Sequence, residues 1–303
     1  MAQIPERGIP EKKVCLVMVT YNRFEVLLQS INTILDQVRQ VEYFVVVDNG
    51  STDGTVTKLK AQFEKIHVVE LKGNMGYAAG LAAGMQYAQS CFPDINYFWL
   101  MDDDSHPQRD CLKKMVEIKL DYPFDGILSV TGFVDTIWQG PVRFSNYSNK
   151  TSKLRKSIFP LYDVDHALID GALIDAKVVA QIGFPDSKFF MMCEDVEYCK
   201  RMKKHGFEII LWDNEIMMNR LHQGGGGGFT KSNLWRGYYG SRNHLLILRD
   251  YFSLKGALSY FLRQTKFVFY AFSAKDRFQR IYYRLLGIYH GFRGISGKSI
   301  EPF

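Results

Sequence analysis

The first 105 residues predict an α/β fold built on a mostly parallel sheet, on three observations. Short apolar runs rich in β-branched residues alternate with segments of helical spacing, the pattern of crossover units. The run at 43–47 is stopped by Asp48-Asn49-Gly50-Ser51-Thr52-Asp53-Gly54, a dense turn signal. The run at 97–101 ends in Asp102-Asp103-Asp104. Carboxylates leaving the C-terminal end of a strand stand where open α/β sheets bind ligands.

The elements follow in order. Residues 14–19 form an apolar strand that ends at Thr20-Tyr21-Asn22-Arg23. Residues 24–38 have helical spacing, with Leu27, Leu28, Ile31, Ile34 and Leu35 on one face. A strand at 43–47, a helix at 55–63 and a strand at 66–71 come next. Asn74-Met75-Gly76 opens a small-residue helix through 88, and the strand at 97–101 is stopped by Ser105-His106-Pro107. Beyond this the pattern loosens. Residues 126–134 read as a strand, 146–156 as a polar mobile loop, and 167–174 as an apolar run broken by Asp170-Gly171. A helix starts near Glu194 and ends before Gly206, and 207–212 return as a strand. Five glycines at 224–228 follow His222-Gln223, and from 234 onward the chain is helical.

The chain of 303 residues is 47% hydrophobic and 23% charged, an ordinary globular balance. It holds no stretch of apolar residues long enough to span a bilayer, and residues 1–13 lack the apolar core of a signal peptide. A cytoplasmic location is therefore expected. Five cysteines without CxxC spacing point to reduced thiols rather than zinc. From residue 236 onward there are 12 Lys/Arg against 3 Asp/Glu, whereas the remainder has 26 against 29, so the basic character sits at one end. That end interleaves Tyr251, Phe261, Phe269, Tyr282 and Tyr289 with Arg249, Arg263, Lys266, Arg277, Arg280 and Arg284. Helices lying on anionic lipid, a packing or homo-oligomer surface, and single-stranded nucleic acid all suit such a mixture. The first is the expectation, and nucleic acid is not an expected partner.

Each candidate motif has a plain reading beside its functional one. The acidic triplet is either a solvated turn or a hard-oxygen site for Mg²⁺ or Mn²⁺. Asp48 either satisfies backbone donors in an Asx-turn or accepts hydrogen bonds from a ribose or base edge. Asn74-Met75-Gly76 lacks the GxGxxG spacing; its small residues serve close approach to a ligand or tight helix packing. Glu194-Asp195 suits a helix N-terminus, and a carboxylate there would also serve as a general base. His222 is either a surface histidine or a third ligand to an ion, and the glycines after it would let the segment fold over a phosphate.

Together these segments, with Trp99 to Asp104 near Asn74-Met75-Gly76-Tyr77-Ala78-Ala79-Gly80, resemble the family 2 glycosyltransferases over roughly residues 13–224. Within that family the motifs, and Arg242-Asn243, look most like the galactofuranosyltransferase and rhamnosyltransferase branch. The resemblance implies a GT-A fold, a Rossmann-like mostly parallel mixed sheet flanked by helices, with a C-terminal helical extension. It implies a catalytic domain at 1–232, with a nucleotide-binding half at 13–105 and an acceptor half at 106–232, followed by a basic aromatic region at 233–303. Thr20, Tyr21, Asn22, Arg23, Asn74 and Gly76 would surround the nucleotide, with Asp48 on the nucleoside and Asp103 on the nucleotide or sugar. Asp102, Asp104 and His222 would hold Mn²⁺ or Mg²⁺, and Asp195 would be the base with Glu194 beside it. Asp48-Asn49 departs from the paired aspartates common in the family, which loosens the inference of donor identity.

The implied activity is inverting transfer from UDP-galactofuranose or a similar UDP-sugar, with dTDP-rhamnose as the rival donor. The acceptor would be a glycan or lipid-linked molecule of cell-surface polysaccharide synthesis, met at the inner face of the membrane. Two other classes compete: a non-catalytic nucleotide-sugar-binding membrane scaffold, and a nucleotidyltransferase, for which a basic Gly-rich triphosphate loop is missing.

Overall fold

The computed structural model describes residues 12–134, 152–153, 158–214, 216–221 and 234–301. The first half runs β1 (Val14–Thr20), α1 (Phe24–Leu35), β2 (Tyr43–Asp48), α2 (Thr55–Gln62), β3 (Ile66–Glu70), α3 (Tyr77–Cys91) and β4 (Tyr97–Asp102). Then come β5 (Ser105–Pro107), α4 (Cys111–Asp121), β6 (Gly126–Val130), β7 (Phe133–Val134), β8 (Ser152–Lys153), β9 (Leu161–Asp163) and β10 (Leu173–Asp175). The chain continues through α5 (Ala176–Ile182), α6 (Glu194–Lys204), β11 (Glu208–Trp212) and β12 (Met218–Arg220). Three helices follow: α7 (Leu234–Asp250), α8 (Leu254–Ala271) and α9 (Arg277–Arg293).

Nine strands form one sheet in the order β3-β2-β1-β4-β10-β6-β11-β9-β8, mixed but with its first four strands parallel. This is the expected fold class. In β1 every residue is buried, and alternate side chains enter opposite layers. Leu16 and Met18 join Leu27, Ile31 and Ile34 of α1 and Met115 of α4, whereas Val17 and Val19 join Leu81 and Met85 of α3. Helix α3 lies close because it carries glycines: a Cβ on Gly84 would stand 2.5 Å from Val17 and 2.6 Å from Val47. Tight packing therefore explains the small residues of this helix beyond Gly76. Register aligns the functional ends, since Thr20 pairs with Asp48 on one side and Val19 with Asp102 on the other.

Several boundaries moved. Ser105-His106-Pro107 ends β4 as expected but is itself a strand, in a second sheet ordered β5-β12-β7. The expected strand at 126–134 divides between the two sheets. Its break falls at Gly132, where a Cβ would stand 1.9 Å from the Met218 carbonyl oxygen. Of the apolar run 167–174 only Leu173 and Ile174 enter a strand, because Gly171 takes a left-handed φ of 76°. Helix α1 stops at Leu35, and α4 and α5 had no counterpart in the sequence reading. All five cysteines are free thiols, as expected. His222, the glycines at 224–228 and the expected loop at 146–156, apart from Ser152 and Lys153, lie outside the described residues.

Candidate active site

The parallel strands β1, β2 and β4 deliver three clusters to one edge. At the end of β1, Asn22 adopts a left-handed φ of 54°, and its Oδ1 accepts the Thr52 N–H at 2.6 Å. The Asn22 N–H in turn donates to Ser51 Oγ at 2.8 Å. The loops after β1 and β2 are thereby locked together. Asp48, 2% exposed, uses Oδ2 to accept the Gly50 and Ser51 N–H groups at 3.1 and 2.9 Å. The Asx-turn reading thus holds for one oxygen, while Oδ1 is buried with no hydrogen-bond partner among the described residues. Asn49 explains its departure from the family pattern. Its amide oxygen accepts the Met75 N–H at 2.9 Å and its NH₂ donates to the Gly76 carbonyl at 3.1 Å. An aspartate would lose that donated bond. Gly76 has a φ of 91° and meets the Phe190 carbonyl oxygen so closely that a Cβ would stand 1.9 Å away.

At the end of β4 each aspartate has a different situation. Asp103 is 1% exposed; Thr20 Oγ1 donates to it at 2.7 Å and the Arg23 guanidinium lies 3.0 Å away. The side chain expected at the nucleotide or sugar is thus turned into the protein. Arg23 also reaches Asp104 at 2.7 Å. Tyr21, next after β1, is 40% exposed. Asp102 is supported by a residue that sequence reasoning had noted only as an interruption: Asp170 accepts the Asp102 N–H at 3.0 Å and the Ser105 hydroxyl at 2.8 Å. The Asp170 carboxylate is paired with the buried Arg220 at 2.7 Å. Next in the chain, the Leu221 N–H donates to the Asp104 carbonyl at 2.8 Å. The described chain therefore runs beside the triplet immediately before His222.

One carboxylate oxygen from each of Asp102, Asp103 and Asp104 lies within 4.8 Å of the others. Burial, and then the charges of Asp103, Asp104 and Asp170, push the Asp102 carboxyl well above its ordinary range. Clustered hard oxygens whose ionisation is mutually opposed fit a divalent Mg²⁺ or Mn²⁺ ion, which would relieve that repulsion.

The second acidic pair opens α6. It follows two non-glycine residues in the left-handed region, Met192 and Cys193, each with a φ of 71°. Such strain costs on the order of 1–3 kcal/mol per residue and persists only where neighbours impose it. Here the neighbour is Asn243 on α7, fully buried, whose side-chain NH₂ donates to the Met191 and Met192 carbonyls at 2.8 and 2.7 Å. Arg242 braces it, donating to Asn243 Oδ1 at 2.8 Å and to the Gly297 carbonyl and Ser299 Oγ at 2.7 Å. The Arg242-Asn243 motif thus holds the turn that aims Glu194 and Asp195. Asn243→Ala is expected to lower stability by about 1–3 kcal/mol, the cost of orphaning buried polar groups. Turnover should fall about tenfold while donor affinity stays near wild type. Urea melts with steady-state kinetics check both.

Burial raises both acids of the pair: Asp195 to about 6, and Glu194, which also feels the Asp195 charge, to about 8. Two residues missed from sequence join this pair to the triplet. Burial, followed by the charges of Asp102, Asp170, Glu194 and Asp104, raises the Tyr77 hydroxyl, which has no hydrogen-bond partner among the described residues. Burial lowers Arg236, while the charges of Asp102, Asp104 and Glu194 oppose that shift. Tyr77 and Arg236 therefore feel the charges of both acid clusters, which the fold brings to one region.

The pattern of glycosyl transferase family 2 matches residues 15–182. Galactofuranosyltransferase GlfT1 of Mycobacterium tuberculosis is 29% identical over 206 residues, covering 64% of this chain and 66% of that protein. The dTDP-rhamnosyl transferase RfbF of Shigella flexneri is 22% identical over 297 residues, covering 93% of this chain and 96% of the relative. Among solved structures, S. aureus TarS 1-349 superposes with a TM-score of 0.59 at 17% identity, covering 92% of this chain and 80% of that one. Its complex with UDP-GlcNAc gives 0.53 at 13% identity, covering 93% and 92%. At these identities the structural likeness shows the GT-A fold.

Proposed function

This chain belongs to glycosyl transferase family 2, and from that premise we propose that it transfers a sugar from a nucleotide-diphosphate donor to an acceptor hydroxyl with inversion. The observation that carries the proposal is geometric: the Asp102–Asp104 carboxylates lie within 4.8 Å of one another at the sheet edge, and the Tyr77 N–H at the start of α3 donates to the Phe190 carbonyl at 3.2 Å, just before the Glu194-Asp195 turn. Asp48, Asn49 and the 74–76 loop bound the nucleoside end, and Arg23 holds Asp103 and Asp104 in place. A divalent ion held by Asp102 and Asp104, with His222 as third ligand, would spread negative charge from the leaving diphosphate. Arg236 supplies a fixed cation on the same side. Asp195, ionised above about pH 6, removes the acceptor hydroxyl proton. Glu194, raised to about 8, stays protonated at neutral pH and is not the base. Two neighbouring carboxyls split in this way assign themselves to different roles.

UDP-galactofuranose is the favoured donor, from the identity to the galactofuranosyltransferase. The rhamnosyl relative matches nearly end to end, which favours dTDP-rhamnose as the second reading. Thermal stabilisation by each nucleotide sugar, with and without Mn²⁺, separates them, because a ligand bound only by the native state raises the melting temperature. Stabilisation by neither would remove both donor readings.

We also infer that the C-terminal helices rest on an anionic membrane surface, where a lipid-linked acceptor would be met. Among the described residues no helix is long and apolar enough to cross a membrane. Helix α8 instead turns Leu254, Leu258, Phe261, Leu262 and Phe269 outward, all more than half exposed. Two of the cations expected to face lipid are turned inward: Arg280 pairs with Asp276, and Arg284 donates to Ser241 and Gln264. The outward stripe therefore carries the contact. Phe261→Ser with Leu262→Ser and Phe269→Ser is expected to abolish co-sedimentation with phosphatidylglycerol vesicles. Undiminished sedimentation would refute the membrane reading.

A further inference from the structure

Arg23 stands between the end of β1 and the start of α1, braced on both sides. Asn22 before it is tied to the loop after β2 by its bond to the Thr52 N–H, and the Arg23 carbonyl accepts the Leu27 N–H at 2.9 Å. From this base the guanidinium reaches the acidic triplet, where its two terminal nitrogens make unlike contacts. Nη2 donates to Asp104 Oδ2 in an aligned hydrogen bond of 2.7 Å. Nη1 lies 3.0 Å from Asp103 Oδ1, yet that oxygen accepts no aligned hydrogen bond among the described residues. Asp103 has support of its own, since Thr20 Oγ1 donates to its Oδ2 at 2.7 Å and Ser30 Oγ to its carbonyl at 2.6 Å. The better bond of Arg23 therefore goes to the more open acid: the Asp104 side chain is 14% exposed, against 2% for Asp103.

That acid is one the proposed mechanism gives to a divalent ion, and Arg23 bears on the triplet in the opposite sense from Asp170. Asp170 accepts the Asp102 N–H from behind, and its own charge is matched by Arg220. Arg23 instead places positive charge on a carboxylate oxygen itself. A cation entering at Asp104 must take Oδ2 from Nη2 or share the carboxylate with the neighbouring guanidinium. Like charges that close oppose each other strongly in a half-buried site. Arg23 has no escape by losing its proton, because a guanidinium stays charged in proteins.

We propose, on the reading that Asp102 and Asp104 take a divalent ion, that Arg23 competes with it for Asp104 and so makes ion binding depend on the nucleotide diphosphate. A diphosphate brings negative charge that offsets the ion and the guanidinium together. Its oxygens are also suitable acceptors for the displaced Nη2 donor, since guanidinium groups pair readily with phosphate. Nη1 stays beside Asp103 meanwhile, so the side chain exchanges one partner without leaving the site. Asp103 gains a role here as the fixed anion that keeps the guanidinium at hand. Ion and nucleotide then bind cooperatively, each raising the other's affinity by the same factor.

Calorimetric titration of the full chain with Mn²⁺ alone, on wild type, Arg23→Gln and Arg23→Lys, tests the competition. Removing one unit charge beside the ion should tighten Mn²⁺ binding in Arg23→Gln about tenfold. Arg23→Lys keeps the charge and should stay within about threefold of wild type. A Mn²⁺ affinity that is unchanged or weaker in Arg23→Gln would overturn the proposal, because loss of a supporting residue acts in that direction. Thermal melts show whether the variants fold, and a wild-type measurement stands beside them. Saturating UDP or dTDP, corrected for ion bound by free nucleotide, should tighten Mn²⁺ binding to wild type about tenfold and to Arg23→Gln less. No such coupling in wild type would overturn the proposal without any variant. Mn²⁺ binding that survives Asp102→Asn with Asp104→Asn would bring down the metal reading itself, so the two failures are distinguishable.

Discussion

Asp195→Asn should reduce turnover by about 10²- to 10⁴-fold, the range of general-base loss, while donor binding stays intact. The amide fills the same space and still accepts the Val196 N–H bond that the carboxylate accepts at 2.8 Å. What it cannot do is take a proton. Glu194→Gln should cost far less, because a group raised to about 8 is already protonated at neutral pH and its amide replacement is likewise uncharged. The pH profile carries the same distinction. Burial raises Asp195 to about 6, so the base is ionised above that value and protonated below it. Turnover should fall as pH drops through about 6, and this acid limb should vanish in Asp195→Asn. If Glu194→Gln is the more damaging change, the two roles are reversed.

Asp170→Ala should be the most destabilising single change at the site. Its carboxylate meets Arg220, whose side chain is 3% exposed, and removal strands a buried cation. Breaking such a pair by deleting one partner costs about 3–5 kcal/mol. The same carboxylate accepts the Asp102 N–H and the Ser105 hydroxyl, so it orients from behind an aspartate that the proposed mechanism gives to the metal. Losing a support of this kind lowers metal affinity about 10- to 100-fold. Asp170→Asn keeps an acceptor for the Asp102 N–H and should retain more metal affinity than Asp170→Ala. Urea denaturation and Mn²⁺ titration of the two variants separate packing from ligand support. Equal Mn²⁺ affinity in wild type and Asp170→Ala would show that Asp170 serves stability alone.

The parallel half of the fold was legible because periodicity and turn chemistry agree there. Strand β1 lies one residue from its expected end, and the turn after β2 bonds as its Asp and Gly residues require. The acid triplet was legible for the same reason: an apolar run with carboxylates at its end has few other places to go. Asp170 was in plain view as a charged residue inside an apolar run. Its partners, however, lie 50 to 68 positions away in the chain, and no local rule pairs them. The service of Asn243 to the 191–193 turn, at 51 and 52 positions, was hidden in the same way. The C-terminal helices misled differently. In α8, Leu254, Leu258, Phe261, Leu262 and Phe269 point outward, and the surprise lies in where the cations go. In α9, Gly287 and Gly291 let α7 approach closely, with a Cβ on Gly287 standing 2.4 Å from the Tyr238 carbonyl oxygen. That approach carries Arg284 against the Phe267 ring at 3.7 Å instead of toward solvent. Helical spacing says which residues share a face but not which face is covered.

Calorimetry of UDP and dTDP binding with and without Mn²⁺, on wild type and on Asp102→Asn with Asp104→Asn, tests the joint metal and nucleotide site most directly. Binding of one nucleotide that requires Mn²⁺ and disappears in the double variant is the expected result. Equally tight binding without the ion, or in the double variant, would contradict it.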